Sequence, residues 1–182
     1  MRFTILAAEW NAKLVALAKV MNSKVALPIY STFLLELKDG VLRITASDMD
    51  CSRCSTLPVM DMDRANEHNG SLCVTASFLL DSLKNLGDQP VTFEADEENL
   101  SVVIRYNNGQ FDMVGFPAKD YALPGTMGKS VQVTIEASVL NDSIGKSLYA
   151  VGNDDLRPIF SGIYFTKKGD ELQCATTNGS ML

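Results

Sequence analysis

The sequence predicts an α+β fold assembled from repeated units of one strand, one helix and two or three further strands, and three observations predict it. A strand-like run that hands over to an amphipathic helix recurs three times along the chain. Each helix is followed by runs of alternating or β-branched residues broken at turn dipeptides such as Asp39-Gly40. Composition is that of a globular chain, 46% hydrophobic and 21% charged over 182 residues, enough for one large or two small domains.

The first repeat opens on Phe3-Thr4-Ile5. A helical pattern follows over residues 8–21, with Trp10, Leu14, Leu17 and Met21 on one face. Two strands, Phe33–Leu37 and Val41–Ala46, meet at Asp39-Gly40. The second repeat restarts at Leu72–Ala76, where Ser77 is placed to cap a helix carrying Leu79, Leu80, Leu83 and Leu86 and ending at Gly87. Its strands are Val91–Glu94, Leu100–Tyr106 and Gln110–Val114, the last entered through Asn108-Gly109. The third repeat begins with a strand at Val131–Ile135. Ser138 then caps a helix bearing Leu140, Ile144, Leu148 and Val151, and strands follow at Gly162–Phe165 and Glu171–Ala175.

Between the second and third repeats, Phe116 to Lys129 is rich in Pro and Gly and has no periodicity, which suits an interdomain linker. The expected organisation is a first domain over 1–122, made of repeats 1–69 and 70–122. A linker over 123–130 leads to half of a second domain over 131–182, and with no fourth repeat the chain is expected to end inside that domain.

Function classes can be excluded next. No run of about 18 apolar residues is present and the N-terminus lacks a secretory apolar region, so a cytoplasmic chain with no membrane partner is expected. Cys51, Cys54, Cys73 and Cys174 are too few for a disulfide framework and should be reduced thiols. Cys51-x-x-Cys54 lacks a second ligand pair, and the lone histidine, His68, sits in a polar loop, so no metal and no cofactor are expected. Gly128-Lys129-Ser130 and Gly145-Lys146-Ser147 both lack the first glycine of a phosphate-binding loop. Asp48-x-Asp50, Asp61-x-Asp63 and Asp154-Asp155 read as solvated turn acids, and no nucleophile–histidine motif exists, so an enzyme is not expected.

Sixteen basic against twenty-two acidic residues give a net charge of −6, which argues against a uniformly basic nucleic-acid binder. The helices carry Lys13, Lys19, Lys84 and Lys146 against Glu9, Asp81 and Asp142, a net of +1 that leaves −7 on the rest of the chain. A surface meeting phosphate needs that bias, and a plain solvated helix face explains it equally well.

Several segments in combination resemble the bacterial sliding-clamp family, the beta subunits of DNA polymerase III. They are Met1–Thr4, Asn22-Ser23-Lys24 leading to Leu27-Pro28-Ile29, Leu34-Leu35-Glu36 with Asp39-Gly40, and Ile44–Asp48. Further matches are Phe116–Tyr121, Asp155-Leu156-Arg157-Pro158, Gly162–Phe165 and Ala175–Gly179. The resemblance implies the DNA-clamp fold, repeated β-α-β-β-β units with antiparallel sheets outside and helices on the inner face. It implies a non-catalytic processivity factor that encircles duplex DNA without sequence specificity, as a head-to-tail homodimer when full length. Its partners would be DNA polymerase III and clamp-loader subunits. A non-encircling protein-interaction module of the same fold is the alternative.

By the same resemblance, Lys24, Asn153, Asp154 and Arg157 fall at DNA-contact positions, although Pro158 and Ile159 replace aromatic residues of some relatives. Phe78, Phe111 and Met113 fall at the dimer interface, and Thr177, Gly179 and Leu182 in a partial pocket for partner peptides. Two departures stand out. Ser77-Phe78 replaces a basic pair, and Thr177-Asn178-Gly179-Ser180-Met181 replaces a Thr-Asp-Gly-His-Arg segment.

Overall fold

The computed structural model describes residues 1–21, 27–49, 51–60, 69–123, 128, 132–153, 156–169 and 171–181. It divides into two compact units, Met1–Thr126 and Met127–Leu182.

In unit 1, β1 (Arg2–Leu6) runs directly into α1 (Ala7–Ala18), followed by β2 (Thr32–Lys38), β3 (Val41–Ser47) and β4 (Ser52–Pro58). The second repeat gives β5 (Gly70–Thr75), α2 (Ala76–Leu83), β6 (Pro90–Ala95), β7 (Ser101–Tyr106) and β8 (Gly109–Val114). Asp39 and Gly40 both take positive φ, 51° and 73°, the backbone that lets a two-residue turn follow the twist of β2 and β3.

The two repeats exchange their first strands. β1 leaves its own repeat to pair antiparallel with β6, setting Phe3 opposite Phe93 and Ile5 opposite Val91. β5 does the reciprocal, pairing with β2 so that Leu72 faces Leu35 and Val74 faces Phe33. The result is a four-stranded sheet in the order β1-β6-β7-β8 and a five-stranded one in the order β4-β3-β2-β5-β9, where β9 is Phe116–Pro117.

One core is shared by both sheets and both helices. Ala7, Trp10, Leu14 and Leu17 form the buried stripe of α1, and Ala76, Leu79, Ser82 and Leu83 that of α2. At its centre the ring of Phe3 stacks on Phe93 at 4.9 Å, and Trp10 meets both edge-on at 5.4 and 5.8 Å. These contacts add about 0.5–1.5 kcal/mol per pair to the burial of the rings.

The sequence-based helix caps are not observed. α2 starts at Ala76 and the third helix, α3 (Ala137–Ser147), at Ala137, so Ser77 and Ser138 already lie inside their helices. Among the described residues no helix start uses a side-chain cap; the Ala7 amide is instead satisfied by the carbonyl of Gln89, 2.9 Å away on the neighbouring repeat.

The start of the aperiodic Phe116–Lys129 stretch is part of unit 1. Phe116–Pro117 pairs with Leu72–Cys73, and Tyr121 is buried in a second cluster with Tyr30, Leu34 and Cys73. The Tyr30 hydroxyl donates to the Ala122 carbonyl at 3.0 Å, so the chain as far as Ala122 is fastened to unit 1. Residues 124–127 and 129–131 lie outside the described set.

Unit 2 repeats the first repeat at a constant offset of 130 residues. Ala7 and Ala137 begin the helices, and tight 3-10 turns start at Pro28 and Pro158. The pairing of Leu34 with Thr45 becomes that of Tyr164 with Ala175 between β10 (Tyr164–Lys168) and β11 (Glu171–Ala175). The strand expected at 131–135 is absent over its described residues 132–135. In unit 1 the matching strand pairs only with the other repeat, and among the described residues unit 2 holds no such partner. For the same reason no residue of α3 is buried.

Candidate nucleic-acid interface and docking pocket

Packing Trp10, Leu14 and Leu17 inward turns Glu9, Ala12, Lys13, Val15 and Lys19 to solvent. Neither Lys13 nor Lys19 has an ion-pair partner among the described residues. A third cation joins them from the sheet: Arg53 on β4 donates its Nη1 to the Ala16 carbonyl at 3.1 Å. Ala16 lies three residues from both lysines, so the guanidinium comes to the stretch of helix they flank. Sequence reasoning missed Arg53 because only the tertiary approach of β4 to α1 brings it there.

The neighbouring α2 offers less charge. Lys84 is held by Asp81 at 2.8 Å, and Ser77 and Phe78 are exposed, Phe78 by 38%. Together the two helices present a weakly positive surface rather than the strongly basic one of an ordinary DNA-binding domain.

Of the other expected contacts, Asn153 and Arg157 are exposed in unit 2, and the Arg157 guanidinium carbon lies 4.9 Å from the Phe160 ring centroid. Lys24, Asp154 and Leu182 lie outside the described residues, as do Asp50, Asp61, Asp63, His68 and Asp155.

β8 forms an edge of its sheet. Phe111 and Met113 on this strand point inward, half-buried against the core, with Phe111 stacked on Tyr106 at 4.9 Å. Val114 is 70% exposed.

In unit 2 a cavity of about 390 Å³ is lined by Ile159, Phe160, Ile163, Tyr164, Ala175 and Thr177, among others. The loop beyond it is tied by its own side chains. Thr176 donates to the Ser147 carbonyl at 2.7 Å, Thr177 to the Met181 carbonyl at 2.6 Å, and Asn178 Oδ1 accepts from the amides of Ser180 and Met181. Gly179 sits at φ +91°, where a Cβ would lie 3.7 Å from the Phe160 ring. Thr177 thus lines an apolar hollow, Gly179 lies beside it near the Phe160 ring, and Phe160, not singled out from sequence, forms part of its wall.

Cys51 and Cys54 are exposed, and the described residues contain no cluster of His, Cys, Asp or Glu suited to a metal. Cys73 is buried, and desolvation pushes its thiol up to about 12. That is the behaviour of a packing residue, not a nucleophile. No described helix is long and apolar enough to cross a membrane.

Repeated β-α-β-β-β units, with a helix pair packed on two antiparallel sheets that end in open edges, define a clamp-type binding scaffold. The chain belongs to the DNA polymerase III beta subunit family: the model of that family's N-terminal domain matches residues 1–124. Over its whole length the chain is 25% identical to the beta sliding clamp of Bacillus subtilis (strain 168) and 24% identical to that of Staphylococcus aureus (strain N315). It spans about half, 49%, of each of these relatives. Among solved structures, the DNA polymerase III subunit beta from Pseudomonas aeruginosa matches with a TM-score of 0.89 at 23% identity, covering 98% of this chain and 47% of that one. The sliding clamp from Bacillus subtilis matches at 0.87, with the same identity and coverage.

Proposed function

We propose that the protein is a sliding clamp of a bacterial replicative DNA polymerase, a processivity factor that performs no chemical step itself. The observation that carries the reading is the α1 surface. In a chain of net charge −6, which repels duplex DNA at large, Lys13, Lys19 and Arg53 gather at a helix whose own one carboxylate is Glu9. Contacts of this kind meet phosphates and leave base edges unread, which a protein that must slide requires.

In this reading the ring is closed by head-to-tail pairing of two full-length copies, with α1 and α2 lining the hole and the sheets outside. Residues 1–122 are its first domain and 131–182 begin its second. Lys24, Asn153, Asp154 and Arg157 would add phosphate contacts. The open edge of β8 is suited to the dimer interface because its unpaired backbone groups can accept another strand. Phe111 and Met113 then act by anchoring that strand, while Val114 and, on α2, Phe78 supply exposed apolar surface.

The hollow at Phe160 and Thr177, beside Gly179, would take apolar peptides of the polymerase and clamp-loader subunits in the cytoplasm, and Leu182 is proposed to contribute to the same peptide site. The test uses the complete protein, loaded onto nicked circular DNA and passed through gel filtration. It should travel with the circle and be released once the circle is cut. Equal retention on circular and linear DNA would contradict encirclement.

A further inference from the structure

The strap Phe116–Ala122 packs on unit 1 apart from the main core. Side chains alternate along β2 and β5, so Phe33, Leu35, Leu72 and Val74 enter that core while Leu34 and Cys73 face the other side of the sheet. There they meet Tyr30, Tyr121 and Ala118 in a second cluster, and among the described residues none of the strap belongs to the first. Lifting the strap therefore leaves the contacts of both helices untouched.

Its attachments are few. β9 contributes two ladder pairs at the edge of the sheet, Leu72 with Pro117 and Cys73 with Phe116. Phe116, Lys119 and Asp120 are exposed, and Tyr121 is the one buried side chain of the strap. Its ring meets Tyr30 edge-on at 5.6 Å, and the Tyr30 hydroxyl holds the Ala122 carbonyl. Tyr30 is the fixed half of that contact. It sits in the tight turn Pro28–Ser31, where Ser31 Oγ donates to the Pro28 carbonyl and Thr32 Oγ1 to the Ile29 carbonyl, each at 2.6 Å. The other end is pinned at Gly115, whose amide donates to the Leu100 carbonyl at 2.8 Å and where a Cβ would come within 2.6 Å of Leu72 Cδ2. A segment pinned at one end and held at the other by one ring and one hydrogen bond belongs to the low-stability end of a fold, the part that opens first.

We infer that Phe116–Ala122 is a latch that opens from unit 1 while the core behind it stays folded, with Gly115 as its hinge and Tyr30 as its catch. Opening hands seven residues, about 23–25 Å of extended chain, to the segment that joins the two units. The joint thus lengthens without unfolding of unit 1. Opening also uncovers Cys73, which in the closed state is fully buried against Tyr121 and opposite Phe116. Burial raises that thiol to about 12 and keeps it unreactive, so its labelling reports the open state.

The test follows iodoacetamide labelling of Cys73 in the complete protein by peptide mass mapping, at urea concentrations below the unfolding transition. Labelling through the latch should rise little with urea because opening exposes little surface, whereas labelling through global unfolding rises steeply. Tyr30→Phe keeps the ring contact and removes the hydrogen bond to Ala122, and it should speed Cys73 labelling about fivefold, the worth of one net hydrogen bond. Ile44→Val is the matched control. It trims one methylene from the main core, weakens unit 1 by a similar amount, and should leave the Cys73 rate unchanged. Equal acceleration by the two variants would mean that Cys73 is reached only by global unfolding and would overturn the latch. No acceleration by Tyr30→Phe, or no labelling of Cys73 below the transition, would overturn it too.

Discussion

Removing the α1 cations tests the DNA-facing surface quantitatively. Lys13→Gln, Lys19→Gln and Arg53→Gln together delete three positive charges from one helix surface whose exposed anion is Glu9. Each lost phosphate contact should reduce the salt dependence of duplex binding by about 0.9 in log K against log salt, so three should reduce it by about 2.7. Wild-type affinity then falls between 50 and 200 mM salt by about 40-fold more than that of the triple variant. Fluorescence anisotropy of a labelled duplex across that range measures both slopes. Losing the Arg53 bond to the Ala16 carbonyl costs about 1 kcal/mol, and a thermal melt checks that the fold survives it. Lys84→Gln is the control: its ammonium is held by Asp81, and its effect should be smaller than a full contact. An unchanged slope in the triple variant would refute α1 as the phosphate-facing surface.

Other outcomes can be stated briefly. Trp10→Ala should destabilise unit 1 by about 3–5 kcal/mol in denaturant unfolding. Trp10→Phe should cost less, because the buried indole Nε1 has no hydrogen-bond partner to lose. Iodoacetamide on the folded protein should alkylate exposed Cys51 and Cys54 and spare Cys73 until denaturant is added, as peptide mass mapping would show. Burial raises the Cys73 thiol from 9.0 and the Tyr121 phenol from 10.0, both to about 12. Above pH 9 the unfolded chain therefore gives up these protons first. Stability is intact below that pH and should fall between pH 9 and 12 by about 1 kcal/mol per pH unit for each group titrating, measurable by urea unfolding across the range. Gly179→Ala forces a side chain into a left-handed backbone, and calorimetry should find unit 2 destabilised by about 1–2 kcal/mol.

Much of this architecture was legible because apolar spacing records which face of each element is buried. Trp10, Leu14 and Leu17 mark α1, and Asp39-Gly40 marks its turn without tertiary information. What could not be read depends on distant partners. Serine at 77 and 138 is a good capping residue by type, yet the cap positions fall two residues earlier, at Thr75 and Glu136, and at Ala7 the free amide finds Gln89 across the repeat. Residues 132–135 have strand composition and no strand, since composition does not supply the neighbour that a ladder requires. Phe116–Tyr121 looks like linker by its lack of periodicity, but its anchors, Leu72, Cys73 and Tyr30, are more than forty positions away. The site divides in the same way. Lys13 and Lys19 were visible as helix charges, while Arg53 and Phe160 reach their places only through folding.

The exchange of first strands also governs how the chain emerges during synthesis. β1 is made well before its ladder partner, Pro90–Ala95, and the Met1 amine itself donates to the Ala95 carbonyl at 2.7 Å. At about 5–20 residues per second, a ribosome needs roughly 4–17 s to pass from the end of β1 to the start of β6. Through that interval Phe3, Ile5 and the apolar stripe of α1 have no second repeat to cover them. A nascent chain of this design depends on holding chaperones, or on transient contacts of its own, before its N-terminus can be locked down.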